Sequence, residues 1–199
     1  MRSTVPGWAL LSSAAAPVLL IGGWTLAAGL QPGGFDSTAS TISALAAHGA
    51  TDRWVMTAAL AGVGICHAVT ARGLSPAALP GRIVLALGGV ATVLVAAFPL
   101  PVTGSSPQHA VAASAAFGAL AVWPAFAWRR DGRGPRALRP AVSLAAAAVL
   151  LGLVAWFAVA LGTGRAGLAE RVAAGAQALW PLAVVLSCRS ALADRGCCR

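Results

Sequence analysis

The sequence predicts an all-α integral membrane protein, a bundle of six transmembrane helices with a short helix in the first loop. Three observations carry this. Of the 199 residues 58% are hydrophobic and only 10% are charged, whereas a soluble domain carries about 25% charged residues. Too little polar surface remains to cover a water-soluble globule, so lipid must replace water over most of it. The apolar residues also gather in six runs of spanning length, and the arginines fall between the runs. The length fits one domain over residues 1–199.

The runs are residues 8–30, 54–71, 83–100, 109–128, 140–161 and 172–192. At about 1.5 Å per residue, a helix of about 20 residues crosses a hydrocarbon core of roughly 30 Å. Inside lipid each backbone group must bond within its own segment, so the runs are predicted to be helices. The first follows Arg2 and contains Leu26-Ala27-Ala28, which loosely resembles a cleavage site. Its apolar stretch exceeds the roughly 7–15 residues of a signal-peptide core, so it is predicted to be a retained span. In the third and fourth runs, Gly88 with Thr92 and Gly118 with Val122 are predicted close-packing pairs, because small residues let membrane helices approach. Pro124 in the fourth run and Pro181 in the sixth are predicted kinks. Trp8, Trp54, Trp128 and Trp180 fit interfacial belts, with Trp24 and Trp156 deeper.

The formal net charge is +9. All basic residues are arginine, and no recognition motif or stacking aromatic accompanies them, which argues against nucleic acid. With the N-terminus inside, Arg2, Arg72, Arg82, Arg129, Arg130, Arg133, Arg136, Arg139, Arg189, Arg195 and Arg199 are cytoplasmic. Only Arg53, Arg165 and Arg171 then lie outside. That asymmetry predicts a cytoplasmic (plasma) membrane protein with both termini cytoplasmic. Cys66 and Cys188 fall in apolar runs, where a thiol acts as a small hydrophobe. The Cys197-Cys198 tail matches neither a zinc nor a redox spacing.

In this orientation Asp36, Asp52, Glu170, His48, His109 and Gln108 share the outer face. The longest connection, Gln31 to Arg53, opens with a Pro-Gly-Gly turn. Residues 37–47 have helical potential, with Asp36 or Ser37 as cap. The mid-bilayer is bare by comparison: His67 is the one deep ionisable group and lies nearer the cytoplasmic end, and Gln177 is roughly a turn and a half into the sixth span. Ion-coupled transporters hold carboxylates or arginines near the midplane, so the pattern does not favour one.

Asp36, Ser43, His109 and Glu170 are the candidate catalytic residues. The carboxylates and imidazole have the chemistry of acid/base groups, and Ser43 that of a nucleophile. Asp36, Arg53, His109, Glu170 and Arg171 are the candidate binding residues. Each also has an ordinary structural reading. Asp36 can cap the loop helix or pair with Arg53, and Glu170 can pair with Arg165 or Arg171 or cap its own helix. His109 can bond a loop carbonyl, and His67 can be a satisfied bundle histidine. No local spacing fixes a metal geometry, so no metal is assigned. The cofactor is unknown from the sequence.

Several motifs stand in a recognisable order: Gln31-Pro32-Gly33-Gly34-Phe35-Asp36, Thr41-Ile42-Ser43-Ala44-Leu45, Arg53-Trp54-Val55-Met56, Phe98-Pro99, His109 and Gly167-Leu168-Ala169-Glu170-Arg171. They resemble the prokaryotic six-helix membrane family known as domain of unknown function 998, from about Ala16 to about Cys188. The resemblance implies no assigned activity. Its matching positions are Asp36, Ser43, Arg53, His109, Glu170 and Arg171. The family has an acidic residue shortly after Phe-Pro, whereas Leu100-Pro101-Val102 stands here. The Ile-Ser stretch is also distantly similar to the outer-loop motif of eukaryotic Frag/DRAM/Sfk membrane proteins.

The first functional expectation is therefore a binding or scaffold protein with a polar outer pocket for a lipid headgroup or partner. Its partners are the bilayer and a lipid or small hydrophobic ligand, not nucleic acid. The alternatives are a membrane enzyme acting on a lipid or isoprenoid group at the outer leaflet, and a lipid or small-molecule transporter.

Overall fold

The computed structural model of the protein describes residues 5–129 and 135–196, with side chains described to residue 191. Arg2, Arg130, Arg133, Arg199, Cys197 and Cys198 lie outside the described residues, as does the side chain of Arg195. The described residues form α1 (Gly7–Gly29), α2 (Ile42–Leu45), α3 (Trp54–Gly73), α4 (Leu79–Ala97), α5 (Pro107–Ala127), α6 (Pro140–Ala160) and α7 (Ala166–Gly196), with a 3-10 turn at Arg136–Leu138. They contain no strand. Six of the helices are long and apolar enough to span a membrane, the last over Ala166–Ala191.

The spans run up and down in sequence order. Backbone bonds tie the connections together at each end: His48 N–H donates to Leu100 O at one end, and Ala78 N–H to Ala127 O at the other. The first end, carrying residues 30–53, 98–106 and 161–165, is called the loop-1 end below. The other is the arginine end. Neighbouring spans pack in order, and α7 closes the ring by packing against both α6 and α1. The interior is mainly apolar with a few buried polar side chains, and large apolar side chains also cover the outside. His67, Thr92, Glu170 and Gln177 are buried, while Leu11, Val18, Val111 and Val149 face outward. Apolar side chains on the outside, with polar ones confined to the interior of the spans, suit a lipid solvent. Only 17% of the most apolar stretch of α6 is buried, so α6 lies at the rim of the bundle.

Small residues set the helix spacings. A Cβ on Gly64 of α3 would sit 2.4 Å from Gly89 O of α4, and one on Gly89 would sit 2.5 Å from Gly64 O. The two backbones touch there, and only glycine at both positions permits it. The Gly88–Thr92 pair is also packed: a Cβ on Gly88 would meet Leu120 of α5, and Thr92 Oγ1 donates to Gly88 O. The predicted Gly118–Val122 pair is not a close contact. Nothing lies within 4 Å of a Cβ on Gly118, because that side of α5 faces no neighbouring helix.

Several boundaries and placements differ from the sequence expectation. α4, α5 and α7 start earlier than predicted, at Leu79, Pro107 and Ala166. Hydropathy undervalues a polar first turn, although such a turn is helical when its N–H groups find acceptors. α1, α5 and α7 run unbroken through Pro17, Pro124 and Pro181. Trp180 is not interfacial: at ~1.5 Å per residue it lies about 21 Å into α7, near the middle of that span. Trp156 is not deep, since it falls in the last turn and a half of α6. At the arginine end, Arg82 donates to Ala71 O and Arg72 O, satisfying the terminal carbonyls of α3. Cations are favoured at a helix C-terminus. Arg189 donates to Val5 O. These arginines therefore hold the bundle together as well as marking one end of it.

Candidate functional site

The first loop is built by α7. Residues 37–47 were expected to form one helix, but only Ile42–Leu45 is helical. The reason is non-local. Gly167 N–H donates to Ala39 O and Leu168 N–H to Thr38 O. The guanidinium of Arg171 donates through Nη1 to Ser37 O at 2.7 Å, Ser40 O at 2.9 Å and Gly167 O at 3.0 Å. With the carbonyls of residues 37–40 committed to α7, no helical ladder forms across them. In return, the loop satisfies the first N–H groups of α7.

Asp36 opens this segment. Its Oδ1 accepts from Thr38 N–H at 2.8 Å and Ala39 N–H at 3.2 Å, making an Asx-type turn. It caps that turn rather than α2, whose N-cap is Thr41, with Oγ1 accepting from Ala44 N–H. Arg53 does not approach Asp36 as a partner but lies over the Trp54 ring, 3.9 Å from its centroid.

Glu170 is 4% exposed and does not cap its own helix. Its Oε2 accepts from the backbone N–H of Ile42, and its Oε1 from Ser43 Oγ at 3.5 Å. A carboxylate from α7 thus satisfies the first turn of α2, where anions are favoured. Gly167 makes this docking sterically possible, because a Cβ there would fall 2.2 Å from Ser40 O. The Gly167-Leu168-Ala169-Glu170-Arg171 and Thr41-Ile42-Ser43 motifs are the two halves of one clamp. Arg171 also lies over Trp24 and Phe35, 5.9 and 5.8 Å from the ring centroids, and its buried Nη2 has no hydrogen-bond partner.

Beneath the clamp lies a cavity of about 60 Å³ on the bundle axis. Ser43, Glu170 and Thr92 line it toward the loop-1 end, and Gln177 and His67 line it deeper in the bundle. The rest of the wall is largely apolar, including Leu20, Val63 and Phe117. Gln177 Nε2 donates to Phe117 O at 2.9 Å, while His67 Nδ1 is buried without a partner.

The structure therefore joins Asp36, Ser43, Glu170 and Arg171 in one assembly and places His109 and Arg53 elsewhere. His109 is buried at the start of α5, its Nδ1 2.8 Å from Phe98 O, and does not line the axial cavity. Ser106 caps α5, its Oγ accepting from His109 N–H. Arg53 lines a shallow groove with His48, Thr57 and Pro99. Among the described residues no cluster of three His, Cys, Asp or Glu could hold a metal ion. His67, Thr92 and Gln177 were not site candidates from sequence. Their only signal was being polar inside apolar runs, which in a membrane segment marks the bundle interior.

No curated protein and no solved structure matches this chain. A family model described as protein of unknown function (DUF998) matches residues 13–187, a stretch that contains both halves of the clamp and all of the cavity wall. The chain belongs to the DUF998 family of proteins of unknown function.

Proposed function

We propose that this membrane protein binds the polar group of a lipid or small amphiphile beneath the first loop. The observation that carries this reading is the axial cavity, apolar along most of its wall, with Glu170 and Ser43 at one end. Binding sites of this kind pair an apolar wall with a few placed polar groups. Volume limits what enters. A drug-sized ligand needs about 300–1,000 Å³, and an apolar cavity of roughly 150 Å³ accepts benzene. The cavity of about 60 Å³ holds only a small polar group, so a larger ligand requires its walls to move apart. Glu170 would accept from a donor or cationic group.

The test is native mass spectrometry of the full chain released from nanodiscs of phosphatidylethanolamine and phosphatidylglycerol. Retention of one lipid per chain, lost in Glu170→Gln while the fold persists, is the expected result. Equal retention by wild type and Glu170→Gln would defeat the proposal.

A transport role is a second reading, favoured by one observation. The cavity extends past Gln177 to His67, beyond the middle of α3. Uptake of a labelled lipid across proteoliposomes distinguishes transport from binding alone.

The proposal also takes the loop-1 end as extracytoplasmic in the cytoplasmic membrane, supported by the arginine asymmetry. A reporter fused after Arg139 is expected to score as cytoplasmic and one fused after Thr163 as extracytoplasmic. The reverse pattern would move the cavity mouth to the other leaflet.

A further inference from the structure

We propose that the axial cavity holds a short file of water linking His67 to Glu170, so that the deep imidazole exchanges protons with the loop-1 end of the bundle. Three observations lead there. His67 is 1% exposed, lines the cavity and has a buried Nδ1 with no hydrogen-bond partner. An unsatisfied polar atom at that depth is costly, and an ordered water is the usual remedy. The cavity of about 60 Å³ has room for a few waters, since one needs only about 10–15 Å³ of such volume. The wall also supplies polar stations at intervals. On α7, Glu170 and Gln177 are seven residues apart, so they lie on one face about 10 Å apart along the axis. Ser43 stands beside the first, and Thr92 and His67 lie on the facing helices.

An entirely apolar cavity of this size stays dry, whereas this one has a carboxyl and an imidazole among its lining residues. The titratable or charged neighbours are few. Arg171 follows Glu170 in sequence and Cys66 precedes His67, while α1, α4 and α5 contribute only apolar residues and Thr92 to the wall. Transfer balances without any co-reactant. The Glu170 carboxylate takes up a proton at the loop-1 end and gives one to the first water, each water passes one on, and His67 Nδ1 gains one. The carboxylate is restored, the imidazole becomes imidazolium, and the number of waters is unchanged. The inference needs no lipid ligand, so it stands or falls separately from the binding reading.

Water-edited solid-state NMR of the full chain in bilayers, with labelled histidine, tests it. His67→Gln identifies the His67 ring signals. In the wild type those signals are expected to build up by transfer from water, and Glu170→Gln is expected to shift the ring nitrogens. Ala116→Leu, which fills the cavity, is expected to abolish the transfer. Absence of transfer in the wild type, or His67 nitrogens identical in Glu170→Gln, would overturn the proposal. The Glu170→Gln comparison decides the matter even if Ala116→Leu fails to fold.

Discussion

Glu170→Ala is expected to destabilise the protein by about 2–4 kcal/mol, through loss of hydrogen bonds to a charged acceptor and the buried donors left behind. The wild-type carboxylate receives the N–H of Ile42 and the hydroxyl of Ser43. Alanine leaves a buried backbone N–H at the start of α2 with no acceptor, and water reaches it only if the loop lifts. Glu170→Gln keeps one acceptor oxygen and is expected to lose less than half as much. The check is thermal unfolding in detergent alongside proteolysis of the 36–45 segment. Alanine should lower the melting temperature and expose the loop, and glutamine should fall between alanine and wild type. Equal melting temperatures for all three would mean that α7 does not hold the loop through this residue.

A second large effect is expected at the α3–α4 contact. Gly64→Val places a branched side chain where even a Cβ would lie 2.4 Å from Gly89 O. Ordinary overpacking costs about 1–3 kcal/mol, because side chains can shift. Here the obstacle is backbone, so the helices must separate, and a loss above about 3 kcal/mol is expected. Gly118→Val, on α5 where no neighbour stands within 4 Å, should be near neutral. Yield of folded protein and melting temperature compare the pair directly. Similar losses at both positions would contradict the packing described here.

The spans were legible because hydropathy is a property of each segment by itself. Trp54–Gly73 and Pro140–Ala160 match their predicted runs to within a few residues. α7 was less so, because its first turns carry Glu170 and Arg171, which a hydropathy window rejects. Those two residues are helical because the loop supplies acceptors for the N–H groups of Gly167 and Leu168. The loop itself was misjudged for the same reason in reverse. Its local pattern favours a helix from residue 37, but Arg171, far along the chain, takes the carbonyls of Ser37 and Ser40. Glu170 and Ser43 were legible as chemistry-bearing residues, whereas their mutual bond was not. His109 was legible as a residue that bonds a loop carbonyl, and Phe98 O is that carbonyl. The cavity had no sequence signature, since its wall comes from six helices and each contributes only a few residues.

The central claim is that α7 clamps the first loop over the bundle axis, and cysteine cross-linking in native membranes measures it most directly. Leu168 N–H donates to Thr38 O at 2.9 Å, so the two residues are adjacent across the clamp. With the native cysteines replaced by serine, Thr38→Cys and Leu168→Cys together should cross-link rapidly with a short bifunctional reagent. Adding Glu170→Ala should slow that reaction. No cross-link in the otherwise intact chain, or the same rate with and without Glu170, would contradict the clamp.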